Sequence, residues 1–325
     1  MSKQRYYGIY AQFLENFVKF KQNIGYQGNY TAVWSTLFDK FTIQRKETVI
    51  GITKELASQW GQKRANESER TMYARVSFIN QFSAFLTDSG YPSQQIPMPK
   101  HYRRPYLPYI FTREEMYSIF AVCDKFPLNT NMRSTVVVLP ALIRFLYGTG
   151  VRINEALALK AKDVNLEENT CIIRDSKNGK ERMIAISESL SEVCQQYRKT
   201  VNHVSGISDY FFIRRNGEKC TCFVVYQWFR KALYKAGIPH SGKGHGPRLH
   251  DIRHTFSVHA LAKMSESGLD LYYSLPILST FLGHQSLEAT DKYVRLTSNM
   301  YPKLIHDTNN ICSYIFPVVE INETD

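Results

Sequence analysis

The chain has 325 residues, 43% hydrophobic, 13% aromatic and 22% charged, a balance that excludes a disordered or fibrous protein and leaves length for two cores. Lys and Arg number 41 against 29 Asp and Glu, a net charge of +12 with a pI near 9.3, so an anionic partner is expected, either nucleic acid or a membrane surface. No apolar run approaches the ~20 residues of a spanning helix, and the polar stretch from Met1 to Tyr10 lacks the apolar core of a signal peptide. The expectation is a cytoplasmic, nucleic-acid-binding protein without a membrane partner.

Residues 1–91 read as a helical domain: Ile9, Phe13, Phe17 and Phe20 recur at helical spacing, as do Tyr73, Val76, Ile79, Phe82, Phe85 and Leu86. These aromatics are expected to be core faces of a small bundle. Residues 92–110 read as a linker, because Pro92, Pro97, Pro99, Pro105 and Pro108 cannot continue a helix. It carries Lys100, Arg103 and Arg104 beside Tyr102 and Tyr106, a composition suited to a phosphate backbone or to a solvated charge run. Up to Pro105 there are 15 basic and 7 acidic residues, net +8 against +4 for the remainder, so the smaller part holds most of the excess charge.

A second domain is expected over residues 111–305. Thr112 and Glu115 stand in capping-box spacing ahead of a helical pattern. Another helix carries Leu142, Ile143, Phe145 and Leu146 and stops at Gly148-Thr149-Gly150, and a further one runs from about Val151 to Leu159. Cys171 to Arg174 and Arg182 to Ile186 read as strands joined through Asn178-Gly179, a hairpin-turn signal. Helices resume after Asp251, near Pro276 and after Ser286, giving a mainly α (α+β) fold class with one small antiparallel β element. Residues 306–325 form a tail whose Ile311, Ile315, Phe316 and Val318 either pack at home or dock on a neighbouring protomer.

The six cysteines are scattered, and only Cys220 and Cys222 are near each other, at a C-x-C spacing unlike common zinc sites, so they read as reduced structural thiols. In His250-Asp251-Ile252-Arg253-His254, residues three apart share a helix face, so His250 and Arg253 can address one ligand. His250 and His254 stand at metal-ligand spacing, but no Glu adjoins the first and Arg253 between them would repel a cation; no metal and no cofactor are expected. Arg152 follows the Gly148-Thr149-Gly150 turn with Glu155 one turn on, and Leu282-Gly283-His284 precedes Tyr293 by a short helical step. Each motif alone has a bland reading, a surface ion pair or a packed tyrosine.

Their order is more specific. Arg152 with Glu155, Lys177 in a hairpin, His250-x-x-Arg253, Leu282-Gly283-His284 and then Tyr293 resemble the tyrosine recombinase (phage integrase) family over about Thr112 to Thr297. The resemblance implies a SAM-like, core-binding N-terminal domain that grips DNA, and a catalytic domain of helices with a small antiparallel sheet. It implies site-specific strand cleavage and exchange, without metal or ATP, as in integration, excision or transposition of a mobile element. Tyr293 would attack a backbone phosphate to give a 3′-phosphotyrosine, and Arg152 and Arg253 would hold the non-bridging oxygens in their planar donor forks. His250 would move a proton near neutral pH, and His284 would hydrogen-bond the scissile phosphate. Lys177 would protonate the leaving 5′ oxygen, with Lys180 the alternative, and Glu155 would orient Arg152 or His250. The implied partner is double-stranded DNA bearing recombination sites, held by a homo-oligomer, a tetramer on two sites. Two other readings remain open at this point: a type IB topoisomerase that reseals the original strand, and a DNA-binding regulator of the same fold without chemistry.

Overall fold

The computed structural model describes residues 6–26, 28–100, 107–127, 131, 133–174, 181–203, 208–242, 246–284, 290, 293 and 296–297. The chain divides into two compact units, Met1–Tyr106 and Leu107–Asp325. Among the described residues no helix is long and apolar enough to cross a membrane.

The first unit is built from α1 (Ala11–Asn23), α2 (Gly28–Gln44), α3 (Lys54–Gly61) and α4 (Glu69–Asp88). Thr53 and Ser68 cap α3 and α4, their hydroxyls accepting the N–H of Leu56 and of Thr71, both at 3.1 Å. The aromatic periodicity closes one core, in which the Phe38 ring meets Trp60 edge-on at 5.2 Å and Tyr10 at 5.5 Å. Phe20 departs from the expected core face: it lies at the end of the α1 stripe and is 45% exposed, its ring centre 5.8 Å from that of Phe85.

Beneath this core lies a charge. The Arg75 guanidinium is fully buried and donates to both Glu67 carboxylate oxygens at 3.0 and 2.7 Å and to the Gln62 carbonyl at 2.8 Å, tying the segment before α4 to that helix. The Pro-rich segment does not leave the unit at once. Gln94 N–H donates to the Ile52 carbonyl at 2.7 Å, and the Asn80 side chain brackets Ile96, donating to its carbonyl at 2.7 Å and accepting from its N–H at 3.0 Å. Lys100, just beyond, is exposed.

The second unit opens with α5 (Arg113–Asp124), whose capping box is the one its sequence spacing predicts: Thr112 Oγ1 accepts the Glu115 N–H at 3.1 Å and Glu115 returns the bond at 2.9 Å. Then come α6 (Leu139–Thr149), α7 (Ile153–Ala158), a three-stranded antiparallel sheet, α8 (Glu188–Thr200), α9 (Cys222–Lys235), α10 (Asp251–Glu266) and α11 (Leu271–Leu282). The strands are β1 (Val164–Asn165), β2 (Thr170–Ile173) and β3 (Arg182–Ala185), in the order β1-β2-β3 with Cys171 opposite Ile184 and Ile173 opposite Arg182. β2 and β3 match the two expected strands. β1 has two residues, too few to leave a pattern in the sequence, and the Asn178-Gly179 turn lies outside the described residues.

A continuous apolar core joins α5, α6, α8, α9 and the sheet, and α10 packs between α6 and α11. Gly150 ends α6 at φ +60°, and a Cβ there would lie 2.3 Å from the Phe256 ring and 2.9 Å from Leu282, so both backbone conformation and space require glycine. Thr290, Tyr293, Leu296 and Thr297 are helical.

Breaking a buried ion pair by removing one partner leaves an uncompensated charge, typically at a cost of about 3–5 kcal/mol. Arg75→Met should therefore lower the urea midpoint of the first unit by that equivalent, read by tryptophan fluorescence on the full chain. An unchanged midpoint would mean that the pair carries no stability.

Candidate active site

Three chain turns meet at one point. α6 ends at Gly150, and Arg152 occupies the position before α7 with its side chain half-buried. α10 starts at Asp251, so His250 precedes its first turn and Arg253 and His254 lie within it. α11 ends at Leu282, where Gly283 at φ +67° turns the chain and places His284 beyond it.

Arg253 is the hub. Its side chain, 3% exposed, donates through Nη1 to the Gly150 carbonyl at 2.7 Å and through Nη2 to the Leu282 carbonyl at 2.9 Å. Both acceptors are end-of-helix carbonyls that lack intrahelical partners, and each lies at the negative end of its helix. Burial, reinforced by the neighbouring Arg152 charge, brings the Arg253 pKa down to about 10, which still leaves it charged at neutral pH.

Glu155 holds a second pair of cations. Its buried carboxylate accepts from Arg152 Nη1 at 2.7 Å, from the Arg152 backbone N–H at 3.0 Å and from Arg182 Nη2 at 2.8 Å. Arg182 opens β3 and also donates through Nε to the Phe281 carbonyl at 3.0 Å, while its guanidinium lies against Gly283, where a Cβ would come within 3.0 Å of Nη1. Arg182 therefore couples β3, the Arg152 support and the turn that carries His284.

Tyr293 completes the cluster. Its ring packs with Val258, Leu261, Leu275, Leu278 and Leu282, its side chain is 1% exposed, and its hydroxyl lies 3.0 Å from His254 Nδ1. Burial raises its pKa, against the opposing pull of the Arg253 and Arg152 charges, so the phenol is neutral at neutral pH. The His284 ring stacks along Tyr293 at 6.2 Å, with its Nδ1 2.7 Å from Thr290 Oγ1, and the His254 ring meets His250 edge-on at 5.0 Å. His250 is exposed and lines an open cavity of about 440 Å3 with Ile153, Tyr226, His240, Arg248 and Leu249.

The structure thus brings together Arg152, Glu155, His250, Arg253, His284 and Tyr293. Lys100 belongs to the first unit, and Lys177, Lys180, Arg103 and Arg104 lie outside the described residues. Two residues of the cluster carry no site role in the sequence reading. Arg182 reads there only as the opening of a strand, and a charged residue at the start of an otherwise apolar strand is the signal that could have marked it. His254 enters only as a metal ligand to be dismissed, although its i, i+4 spacing puts it on the face of His250. Among the described residues there is no group of three or more His, Cys, Asp or Glu placed to hold a metal.

Burial pushes the Glu155 carboxyl up, but the hydrogen bonds from Arg182 and Arg152 and the Arg182 charge outweigh it, and the net pKa lies below the usual range. A carboxyl depressed in the folded state stabilises the fold above its unfolded pKa and loses that contribution as pH falls through the folded value. Glu155→Gln should flatten the acid limb of stability below about pH 4 and lower stability at pH 7, as read by urea midpoints at the two pH values. An acid limb equal to that of the parent protein would contradict the assignment.

The sequence pattern of the Phage integrase family matches residues 110–300, more than half of the chain and all of the described cluster. An integrase/recombinase of Sinorhizobium fredii, y4rB, is 26% identical over 296 residues, covering 88% of this chain and 92% of its own. Tyrosine recombinase XerA of Pyrococcus furiosus is 31% identical over 207 residues, covering 62% of this chain and 63% of its own. The fold is shared with lambda integrase residues 75–356, solved as a dimer bound to a COC′ core site, at a TM-score of 0.62 and 15% identity, covering 87% of this chain and 94% of that one. The chain belongs to the phage integrase family, and it is a tyrosine recombinase.

Proposed function

We propose that this protein performs site-specific DNA recombination, cutting one strand at a time through Tyr293 and joining it to a new partner. The observation that carries this reading is the docking of a neutral phenol among Arg253, Arg152, His254 and His284, a site with positive charge to spare and a nucleophile within it. A phosphodiester supplies the missing negative charge. Arg152, steadied by Glu155, and Arg253 hold the non-bridging oxygens, and charge that develops on them during attack is met by donors already in place. His284 hydrogen-bonds the same phosphate, and His250, exposed at the cleft, moves a proton.

In the forward step the Tyr293 oxygen gives up its proton to His250 and bonds to phosphorus as the bond to the 5′ oxygen breaks, Lys177 giving that oxygen its proton, with Lys180 as the alternative donor. The 3′-phosphotyrosine keeps the bond energy, so a 5′-hydroxyl from another strand reseals it without ATP or a cofactor. The basic first unit and the segment with Lys100, Arg103 and Arg104 grip the duplex. The assembly is a homo-oligomer, a tetramer on two DNA sites, with residues 306–325 docking on a neighbouring protomer, and it acts in the cytoplasm on the nucleoid. Integration, excision or transposition of a mobile element is the favoured setting, resting on the phage integrase family and the integrase relatives.

A nicked suicide duplex carrying the recognition site, obtained from the DNA flanking the gene, tests the chemistry. The wild-type protein should form a covalent adduct, and Tyr293→Phe should bind the same DNA without one; trapping by the Phe variant would remove Tyr293 from the reaction. Joining of two different duplexes separates recombination from topoisomerase-like resealing of one. Arg152→Lys or Arg253→Lys should slow adduct formation by ~10²–10³. Arg182→Ala should slow it by about 10–100-fold, the range for groups that orient a reacting residue, while leaving DNA affinity within a factor of a few.

A further inference from the structure

A lysine that protonates the leaving 5′ oxygen must bring its ammonium to about 2.6–3.2 Å from that oxygen. Its flexible four-carbon stem fixes nothing by itself, so the backbone at its root has to. Lys177 and Lys180 both stand on residues 175–180, which join Arg174 to Glu181. β2 and β3 have four residues each, and their pairing runs to Ile173 opposite Arg182, so Arg174 and Glu181 form the next rung, at the root of the lysine segment. Resting on the leaving-group step proposed above, we infer that Arg174 is a positioning residue for the proton donor. With Asp163 and Glu181 it clips the root of the lysine segment to the body of the second unit.

The clip has the geometry of a built contact. Arg174 Nε donates to both Asp163 carboxylate oxygens at 2.9 and 3.0 Å, Nη2 lies 2.9 Å from one of them, and Nη1 donates to Glu181 Oε2 at 2.9 Å. Exposed pairs contribute little on their own, and the arm to Glu181, which is 58% exposed, would be one of them. The arm to Asp163 differs: that side chain is only 4% exposed, and a forked guanidinium on a buried carboxylate is strong and fixed in direction. One guanidinium therefore ties the ends of both strands to a third point outside the hairpin.

That third point is what matters for the reaction. Asp163 ends a short turn, Ala161–Asp163, five residues after α7. The turn is held in place by backbone bonds, Ala161 N–H donating to the Asp209 carbonyl and Phe211 N–H to the Leu159 carbonyl, both at 2.8 Å. Arg152 and Glu155 lie at the other end of the same stretch, so the residues that hold the phosphate and the anchor of the proton donor share one short piece of backbone. Alternation along β3 completes the fixation, since Arg182 and Glu181 point to opposite faces, the first to Glu155 and the second to Arg174. The distance between phosphate and ammonium is thus set from both faces of the hairpin root.

The test compares single-turnover trapping by the full chain on two suicide duplexes, one normal and one with sulfur in place of the scissile 5′ oxygen. When the P–S bond breaks the sulfur keeps the pair as a thiolate and needs no proton, so this duplex removes the demand for the donor alone. Arg174→Met should trap the oxygen duplex slower by ~10–10²-fold, the effect of a misplaced reacting group, with unchanged DNA affinity, and should trap the sulfur duplex at the wild-type rate. Arg182→Ala, which supports Arg152 at the phosphate, should stay slow on both. Because Arg174→Met leaves Asp163 buried without its partner, Asp163→Asn/Arg174→Met removes the clip with no orphaned charge and should behave in the same way. Equal slowing on the two duplexes, a wild-type rate on the oxygen duplex, or a defect cured by saturating protein would overturn the inference. Lys177→Ala and Lys180→Ala keep the two readings apart. If sulfur rescues either lysine variant but not Arg174→Met, the inference fails alone; if it rescues neither, the proposed leaving-group step fails and the inference with it.

Discussion

One buried guanidinium organises the second unit. Arg253 joins the carbonyl of Gly150, 103 residues earlier, to that of Leu282, 29 residues later, and so binds the ends of α6 and α11 to the first turn of α10. Taking a cation out of water costs several kcal/mol unless its donors are matched, and helix C-termini expose the carbonyls best suited to match them. The requirement runs both ways. The two helix ends need donors, Arg253 needs acceptors, and the arrangement that satisfies all of them also brings Arg152 and His284, each two residues beyond an acceptor, to the same place.

Glycine is the steric condition for that convergence. Gly150 and Gly283 both take positive φ directly after a helix, and each is pressed by a side chain of the cluster, Phe256 in one case and Arg182 in the other. A side chain at Gly150 would push Phe256 away, one at Gly283 would displace the Arg182 guanidinium by a few tenths of an ångström, and the positive φ disfavours both. Glu155 then sets the electrostatic balance. One carboxylate faces Arg152 and Arg182, with Arg253 nearby, so the site holds more positive than negative charge. The buried phenol of Tyr293 responds to both influences, held neutral by desolvation and pulled towards ionisation by the two arginines.

Local pattern served well where the physics is local. The caps at Thr112 and Gly150 and the paired strands around Cys171 and Ile184 depend on residues three or four apart or directly opposite in a hairpin. It failed where burial is decided by a distant neighbour. Phe20 shares the periodicity of Phe17, yet the bundle stops short of covering it. β1 is held by its partner strand, with two residues too few for a periodic signal. Arg182 looks like the start of an ordinary strand until Glu155 and the Phe281 carbonyl are seen on either side of it.

By itself the sequence determined the helical character of the chain, the pairing of β2 with β3, the basic charge of the first part and the set of chemical groups offered, two arginines, histidines and a tyrosine in a telling order. These follow from helix and strand periods, turn chemistry and composition, all readable along the chain. The tertiary structure alone decided which of those groups touch. Tyr293 meets His254 across 39 residues, and Arg253 reaches Gly150 across 103. Such contacts depend on how α6, α10 and α11 pack, and packing is set by the shapes and unsatisfied polar groups of distant segments, which no local spacing records.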